Sequence, residues 1–429
     1  MEVFNCLRRK TMTIQLEEGV HLHVIPTKKY KTVRFVLKFR APIDAETITK
    51  RALLSSILET NSKKYPTQTQ LRSELANLYG ASFGLSVTKK GTQHIFTAGM
   101  NLVNEKYLSG EPAVLMNGIA LLKEILLNPN AADGKFDEAT FQREKENLFD
   151  YYESIFDDKQ AYASLALQSL YFENEDQKMP SIGTAEELEK ITATSLYTYY
   201  QQLIKEDTID IYVLGDVDAL EMKAAFADFN FTPRKKATGS IYYKETLRNN
   251  SKSEVEKQEI TQAKYNLAYE TNGYYLEKDY FALQVFNGLF GGYPHSKLFM
   301  NVREKESLAY YASSSLDTFR GMMTVQTGIE SSKVQQVSEI IALQLAEMQE
   351  GNFSEEAMNQ TKEMLKNQIL QSEDNSGALI ERMYIYDVVD KKLSVEEWQN
   401  AVDAVKKEEI IAVANQVHLK ATFFLTGEA

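Results

Sequence analysis

Few side chains in this chain of 429 residues have the types and spacing that catalysis or metal binding needs. His21 and His23 alternate on a predicted strand, so both point to one face, a geometry that can hold a metal. No third ligand lies nearby in the sequence, which favours two surface histidines over a zinc site. A second pair, Arg303 and Tyr310, stands seven positions apart in the segment VREKESLAYYASSS, which is charged at first and then small, aromatic and strand-like.

Other common catalytic patterns are absent from the sequence. There is no glycine-rich phosphate loop followed by Lys and Ser or Thr, and no Gly-x-Ser-x-Gly nucleophile elbow. Cys6 is the only cysteine, which excludes an internal disulfide and a zinc site built on several thiolates. The chain therefore offers no complete active site of a common kind.

Composition narrows the class of protein. Apolar residues make up 43% and charged residues 25% of the chain, as in a folded globular protein. The net charge of −12 argues against nucleic acid as a partner, because phosphate binding needs a basic surface. No apolar run approaches the roughly 18 residues of a membrane span, and the N-terminus does not resemble a signal peptide. We therefore expect a cytoplasmic protein that does not bind a membrane.

The length and the order of elements predict two domains of the α+β class. Alternating strands, a helix, more strands, a run of helices and a closing apolar strand occur in that order, and then occur again. The proline- and glycine-containing basic stretch that starts at Thr232 is the best linker. We predict an N-terminal domain over residues 1–232, a linker over 233–258 and a C-terminal domain over 259–429. Each should be a mostly antiparallel sheet with helices packed on one face.

The repetition extends to the residues themselves. FDEATFQREKENL from Phe136 aligns with FSEEAMNQTKEML from Phe353, an offset of 217, with Phe, Glu, Lys, Glu and Leu in common. Gly215 and Gly427, which close the two halves, differ by 212. Recurrence of the whole order at a similar offset indicates a duplication.

The segment around Arg303 and Tyr310 also resembles a motif of the insulinase and mitochondrial processing peptidase family of zinc proteases. KLFMNVREKESLAYY follows that family's Leu-Phe-x-x-Val-Arg-Glu-Lys-x-x-Leu-Ala-Tyr form, and NGLFGGYPHS is similar to the stretch that precedes it. FDEATFQREKENL resembles a long helix of the family's first domain. The resemblance covers nearly the whole chain, and it implies two similar peptidase-like domains.

The chain departs from this family at the catalytic signature. The family binds zinc through an inverted motif, His-x-x-Glu-His, and a further glutamate downstream. Counted from the flanking residues, the motif falls on Leu53, Leu54, Ser55, Ser56 and Ile57, and the third ligand position holds Tyr151. Because residues 45–62 contain no histidine, a slip of the alignment does not restore the motif. We expect no zinc in this chain, and a helix that is packed as core at Leu53–Ile57 with Tyr151 filling the vacated site.

The resemblance implies a role for the pair that is kept. In related proteins of two chains, one chain carries zinc while the other supplies the arginine, which holds the substrate, and the tyrosine, which hydrogen-bonds the developing oxyanion. The sequence thus predicts a subunit that is inactive by itself. It would form half of a peptide-binding chamber and provide Arg303 and Tyr310 to a homologous zinc-binding subunit. On strand alternation, Tyr311 should turn to the opposite side from Tyr310.

Two other interpretations remain open at this point. The chain could be a homo-oligomeric peptide-binding or scaffold protein with no proteolytic role, or an active zinc metallopeptidase with a site of another kind. Co-purification with a histidine-bearing relative would argue against the first. Peptidase activity of the purified chain that a chelator abolishes would support the second.

Overall fold

The computed structural model describes residues 11–110, 113–235, 239–245 and 250–427. Cys6 and parts of the predicted linker, residues 236–238 and 246–249, lie outside the described residues.

The described strands run in chain order as β1 (Met12–Glu17), β2 (Val20–Pro26), β3 (Thr32–Pro42), β4 (Ser82–Lys90), β5 (Gln93–Val103), β6 (Ala131–Ala132), β7 (Lys135–Phe136), β8 (Thr208–Gly215), β9 (Lys252–Gln258), β10 (Ala263–Glu270), β11 (Ala309–Asp317), β12 (Met322–Ile329) and β13 (His418–Gly427).

The described α-helices are α1 (Ala45–Thr60), α2 (Gln68–Asn77), α3 (Val114–Leu127), α4 (Glu138–Asp157), α5 (Lys159–Tyr171), α6 (Glu175–Lys178), α7 (Ala185–Glu189), α8 (Ala193–Glu206), α9 (Ala219–Ala227), α10 (Tyr280–Asn287), α11 (Val334–Gln349), α12 (Glu355–Ser372), α13 (Ser376–Val389), α14 (Val395–Ala404) and α15 (Lys407–Ala414). Two π-helical segments, Gly288–Gly292 and Phe299–Lys305, follow α10.

Two large sheets share one strand order. The first is β4-β5-β3-β8-β2-β1, and the second is β11-β12-β10-β13-β9. In each sheet the closing strand, β8 or β13, pairs antiparallel with one neighbour and parallel with the other. The order matches strand for strand, with β1 as an addition to the first sheet. This confirms the duplicated α+β fold with mostly antiparallel sheets.

The chain divides into two compact units, which do not follow a single cut in the sequence. The first contains the described parts of residues 1–89, 93–152 and 181–239, and the second contains residues 90–92, 153–180 and the described residues from 240 onwards. Residues 153–180 lie within the predicted N-terminal domain of 1–232, yet they pack with the second unit. Helix α5 is therefore part of the second unit, although it belongs to the first half of the sequence.

The core of the first unit lies between its sheet and helices such as α1 and α3. Helix α1 begins after Asp44, whose side chain accepts the N–H of Glu46 as an N-cap. A fully buried arginine then fixes the helix. Arg51 donates from Nη1 to Asp207 Oδ2 (2.8 Å) and from Nη2 to the carbonyl of Phe39 (2.8 Å). Through these two hydrogen bonds Arg51 joins α1 to the end of α8 and to β3.

The sheet of the second unit has apolar contacts on both faces. One face packs against α10, α11, α14 and α15. The other packs against α5, where Ala163 and Leu167 meet Phe423 and Leu425 of β13. Helix α5 thus supplies the second apolar layer of this sheet.

Candidate functional site

Helix α1 carries the positions where the zinc signature is missing. Leu53 and Ile57 are one helical turn apart and are 0% and 2% exposed, within the apolar core of the first unit. Leu54 between them is also fully buried. Aliphatic side chains offer zinc no lone pair, and these two are enclosed by other apolar groups. The residues present do not fit a zinc ion.

Ser56, the predicted position of the catalytic base, lies at the wall of a cavity of about 460 Å³. Glu59 and Glu144 line the same cavity. Glu144 accepts hydrogen bonds from Arg143 Nε (3.0 Å) and Asn147 Nδ2 (3.0 Å). Glu59 Oε2 accepts the backbone N–H of Leu85 on β4, an edge strand of the sheet, at 2.9 Å. Both carboxylates have hydrogen-bond donors within the protein.

The sequence pattern did not predict that Glu144 lines the cavity beside Ser56. Glu144 served only as the point from which Tyr151 was counted, and nothing in its local pattern showed that α4 would turn it towards α1. A spacing of seven residues places Glu144 and Tyr151 on one face of α4, two turns apart.

Tyr151 does not fill the vacated site. Its side chain is 52% exposed on α4, so the expectation that it would pack as core is wrong. Its neighbour Tyr152 turns inwards instead, packs against the core and donates from its hydroxyl to the carbonyl of Ile182 at 2.6 Å. Burial raises the pKa of Tyr152, so it stays a donor at neutral pH. Of the four predicted positions, only Leu53 and Ile57 lie in the core. Ser56 lies at the margin of the core, and Tyr151 is outside it.

His21 and His23 turn towards a carboxylate. His21 Nδ1 lies 3.3 Å and His23 Nε2 lies 3.5 Å from Asp210 Oδ1, on the neighbouring strand β8. The imidazole of His23 stacks on Tyr212 with 4.4 Å between ring centroids. Burial alone would raise the pKa of Asp210, but hydrogen bonding to the two histidines outweighs it and holds the pKa well below its ordinary value. Over the described ranges, no group of three or more His, Cys, Asp or Glu is arranged to hold a metal ion.

Arg303 lies in the last turn of the π-helical segment Phe299–Lys305, which leads into β11. Its guanidinium sits over the ring of Phe299, 4.7 Å from the centroid, and Nε lies 3.6 Å from Glu304 Oε1. The side chain is 43% exposed. Between this segment and β11, Ser307 adopts a left-handed φ of +51°. Arg303 is thus accessible, and its side-chain contacts with Phe299 and Glu304 are weak.

Tyr310 lies on a β-bulge at the start of β11, an edge strand. Ala309 pairs with Ile329 and Tyr311 pairs with Gly328, so Tyr310 is the extra residue. Such bulges change the direction of a side chain and often occur beside active sites. Tyr310 is 65% exposed.

Simple alternation predicted that Tyr311 lies on the opposite side of the strand from Tyr310. That expectation is wrong, because the bulge interrupts the alternation. Ala309 and Ala312 are both buried in the same apolar core although they are three residues apart. The bulge between them keeps both tyrosines out of that core. Tyr311 donates from its hydroxyl to Gln160 Oε1 on α5, and burial raises the pKa of Tyr311 to about 12, with Asp158 contributing.

The described part of the chain has no helix that combines the length and the apolarity of a membrane span.

Comparisons with known proteins agree with this fold. Residues 190–365 match the family described as the Peptidase M16 inactive domain. The chain is 37% identical over 410 residues to the "Probable inactive metalloprotease YmfF" of Bacillus subtilis, covering 95% of this chain and 96% of that protein. It is 26% identical over 291 residues to the "Uncharacterized zinc protease YmxG" of the same organism, covering 66% of this chain and 69% of that protein.

Solved structures show the same architecture. A conserved protein from Enterococcus faecalis V583 is 53% identical, with a TM-score of 0.94 over 97% of this chain and 99% of that one. A peptidase M16 inactive domain from Pseudomonas fluorescens is 16% identical and shares the fold, with a TM-score of 0.81 over 98% of this chain and 99% of that one.

The chain therefore belongs to the M16 family of zinc peptidases. Its match to a family described as an inactive domain and to a probable inactive metalloprotease supports a non-catalytic member, and its sequence contains no His-x-x-Glu-His motif. The resemblance to the insulinase and mitochondrial processing peptidase proteins is confirmed.

Proposed function

We propose that this chain is the non-catalytic subunit of a heterodimeric zinc peptidase in the cytoplasm. It forms half of a peptide-binding chamber and supplies Arg303 and Tyr310 to the active site of a zinc-binding partner. The observation that carries this proposal is the contrast between the two sites. The zinc positions Leu53 and Ile57 are buried and aliphatic, whereas Arg303 and Tyr310 remain 43% and 65% exposed.

The exposed pair has the chemistry that peptide hydrolysis needs from a second subunit. A phenol donates a hydrogen bond to the carbonyl oxygen of the scissile peptide as negative charge develops there. A guanidinium offers five donors in a fixed fork and suits backbone carbonyls or a carboxylate of the substrate. The zinc ion and the base that activates water would come from the partner.

The names of two relatives support a pairing of an inactive chain with a zinc-binding chain. Bacillus subtilis has a relative of this chain named as a probable inactive metalloprotease and another named as a zinc protease. A relative named as inactive and a relative named as a zinc protease therefore occur together in one organism. We propose the same pairing for this protein.

Affinity capture from the native cell tests the partnership. We expect the tagged chain to co-purify with a relative that carries His-x-x-Glu-His, and the mixture to cleave an unstructured, internally quenched peptide faster than either subunit alone. Capture of the chain only with itself, and no gain in turnover on mixing, would instead support a homo-oligomeric peptide-binding protein. Chelator-sensitive cleavage by the isolated chain would support an active peptidase with another site.

A further inference from the structure

Tyr311 is enclosed by groups of the second unit on several sides. Its hydroxyl donates to Gln160 Oε1, and the ammonium of Lys264 lies 5.3 Å from its ring centroid. On the paired strand, Gly328 leaves room for the ring, since a Cβ there would come within 2.4 Å of a ring carbon of Tyr311. The ring and the hydroxyl of Tyr311 are therefore both constrained.

Gln160 is itself held in place by its surroundings. Its backbone N–H donates to the N-cap residue Asp158 at 3.0 Å, in the first turn of α5. Its side-chain Nε2 lies 3.2 Å from Ser164 Oγ and 3.5 Å from Oδ1 of the fully buried Asn266. Ser164 in turn accepts from Gln326 Nε2 at 2.9 Å. This network ties the start of α5 to β12, the strand paired with β11, and to β10 beyond it.

We propose that Gln160 is a positioning residue for Tyr310. By holding Tyr311, it fixes the β-bulge that turns Tyr310 out of the core. Within the part of the chain that the structure describes, Tyr310 has no side-chain hydrogen bond like that of Tyr311, so the residue that follows it sets its direction. This inference rests on the proposed function only for its consequence in catalysis, because the geometry of Tyr310 can be measured in the isolated chain.

The structure supplies a reason for an amide at this position. A glutamine accepts the phenol hydrogen through Oε1 and donates through Nε2 to Ser164, so one side chain links the edge strand to the helix. With the pKa of Tyr311 raised to about 12 by burial, its hydroxyl remains a donor throughout the neutral range. A methionine of similar length would keep the packing and lose both hydrogen bonds.

The test is a fluorine NMR spectrum of the full chain with 3-fluorotyrosine placed at position 310. We expect Gln160→Met to shift or split the fluorine signal by more than its linewidth. Gln160→Glu, which keeps an acceptor for Tyr311, should restore a single signal near the wild-type position. Gln168→Met is the matched control, because Gln168 lies on the same helix and bonds to the carbonyls of Gln177 and Lys178 rather than to Tyr311.

Tyr311→Phe removes the same hydrogen bond by deleting one oxygen atom, and it serves where Gln160→Met does not fold. A fluorine signal that coincides with the wild type in a folded Gln160→Met or Tyr311→Phe variant would overturn the proposal. A signal that changes equally in Gln168→Met would also overturn it, since the effect would then be general to α5. If the signal changes as expected while turnover of the mixed subunits does not depend on Tyr310, the positioning stands and the proposed function fails.

Discussion

Ala309 and Ala312 face the same apolar core although they are three positions apart, a spacing that regular strand alternation forbids. The extra residue is Tyr310, which the bulge leaves 65% exposed at the edge of the sheet. A bulge in an edge strand also limits unwanted pairing with other chains. The functional interpretation of Tyr310 therefore needs measurements that separate catalysis from the protection of an edge.

Replacement of the aliphatic residue at the first signature position should destabilise the first unit. Leu53→Ala removes a fully buried side chain and should cost about 2–5 kcal/mol of unfolding free energy. Tyr151→Ala, at a side chain that is 52% exposed, should cost much less. Denaturant unfolding followed by circular dichroism compares the two, and equal costs would contradict the placement of Leu53 in the core.

The stability of the first unit should depend on pH through Asp210. Its pKa in the folded chain is held well below the ordinary value of about 3.9, so it stabilises the fold above that pH and loses this contribution as pH falls. We expect Asp210→Asn to be less stable than wild type at pH 6, and the difference to shrink below about pH 4. Denaturant midpoints at a series of pH values measure it. If the difference in stability between Asp210→Asn and wild type does not change with pH, the ionisation of Asp210 is not its source.

Helix α5 should stabilise the second unit. Leu167 is 2% exposed against the sheet, so Leu167→Ala should lower the stability reported by Trp398, the only tryptophan in the sequence, by about 2–5 kcal/mol. Trp398 lies in the core of the same unit. Leu220→Ala, at a residue that is 71% exposed, is the control and should leave the fluorescence transition unchanged. An unchanged transition for Leu167→Ala would contradict the assignment of residues 153–180 to this unit.

The purified chain should bind no zinc. Elemental analysis of the purified chain is expected to find no stoichiometric zinc, because Leu53, Ser56, Ile57 and Tyr151 provide no set of ligands. The double variant His21→Ala, His23→Ala should leave the metal content unchanged. One zinc per chain that this double variant removes would instead assign the ion to the histidine pair.

The sequence predicted the features that depend on pattern and order. The repeated order of elements predicted two sheets with one strand order, and Leu53 and Ile57 lie in the core as predicted. The features that it did not predict depend on local geometry. The bulge at Tyr310 has no signature in alternating residues, and it reversed the expectation for Tyr311. The exposure of Tyr151 depends on how α4 is rotated, which its neighbours in the sequence do not determine. Helix α5 looked like one more helix of the first half, because its partner strand β13 lies about 250 residues further along the chain.

The role of Arg303 should differ from that of Tyr310 in the mixed complex. Arg303→Ala removes a group that holds substrate and should mainly raise KM. Tyr310→Phe removes a donor that acts on the developing oxyanion and should mainly lower kcat. Steady-state kinetics over a range of peptide concentrations separates the two effects.

The measurement that tests the account most directly is the turnover of the complex with its zinc-binding partner when Tyr310 is replaced by Phe. Loss of one oxyanion donor typically costs about 2.7–4 kcal/mol, so we predict a fall of roughly 10²–10³ in kcat with assembly and folding intact. Tyr107→Phe, at another tyrosine that is 50% exposed, should leave kcat unchanged. Full activity of a complex in which Arg303→Ala and Tyr310→Phe are combined would contradict the account and make the pair structural.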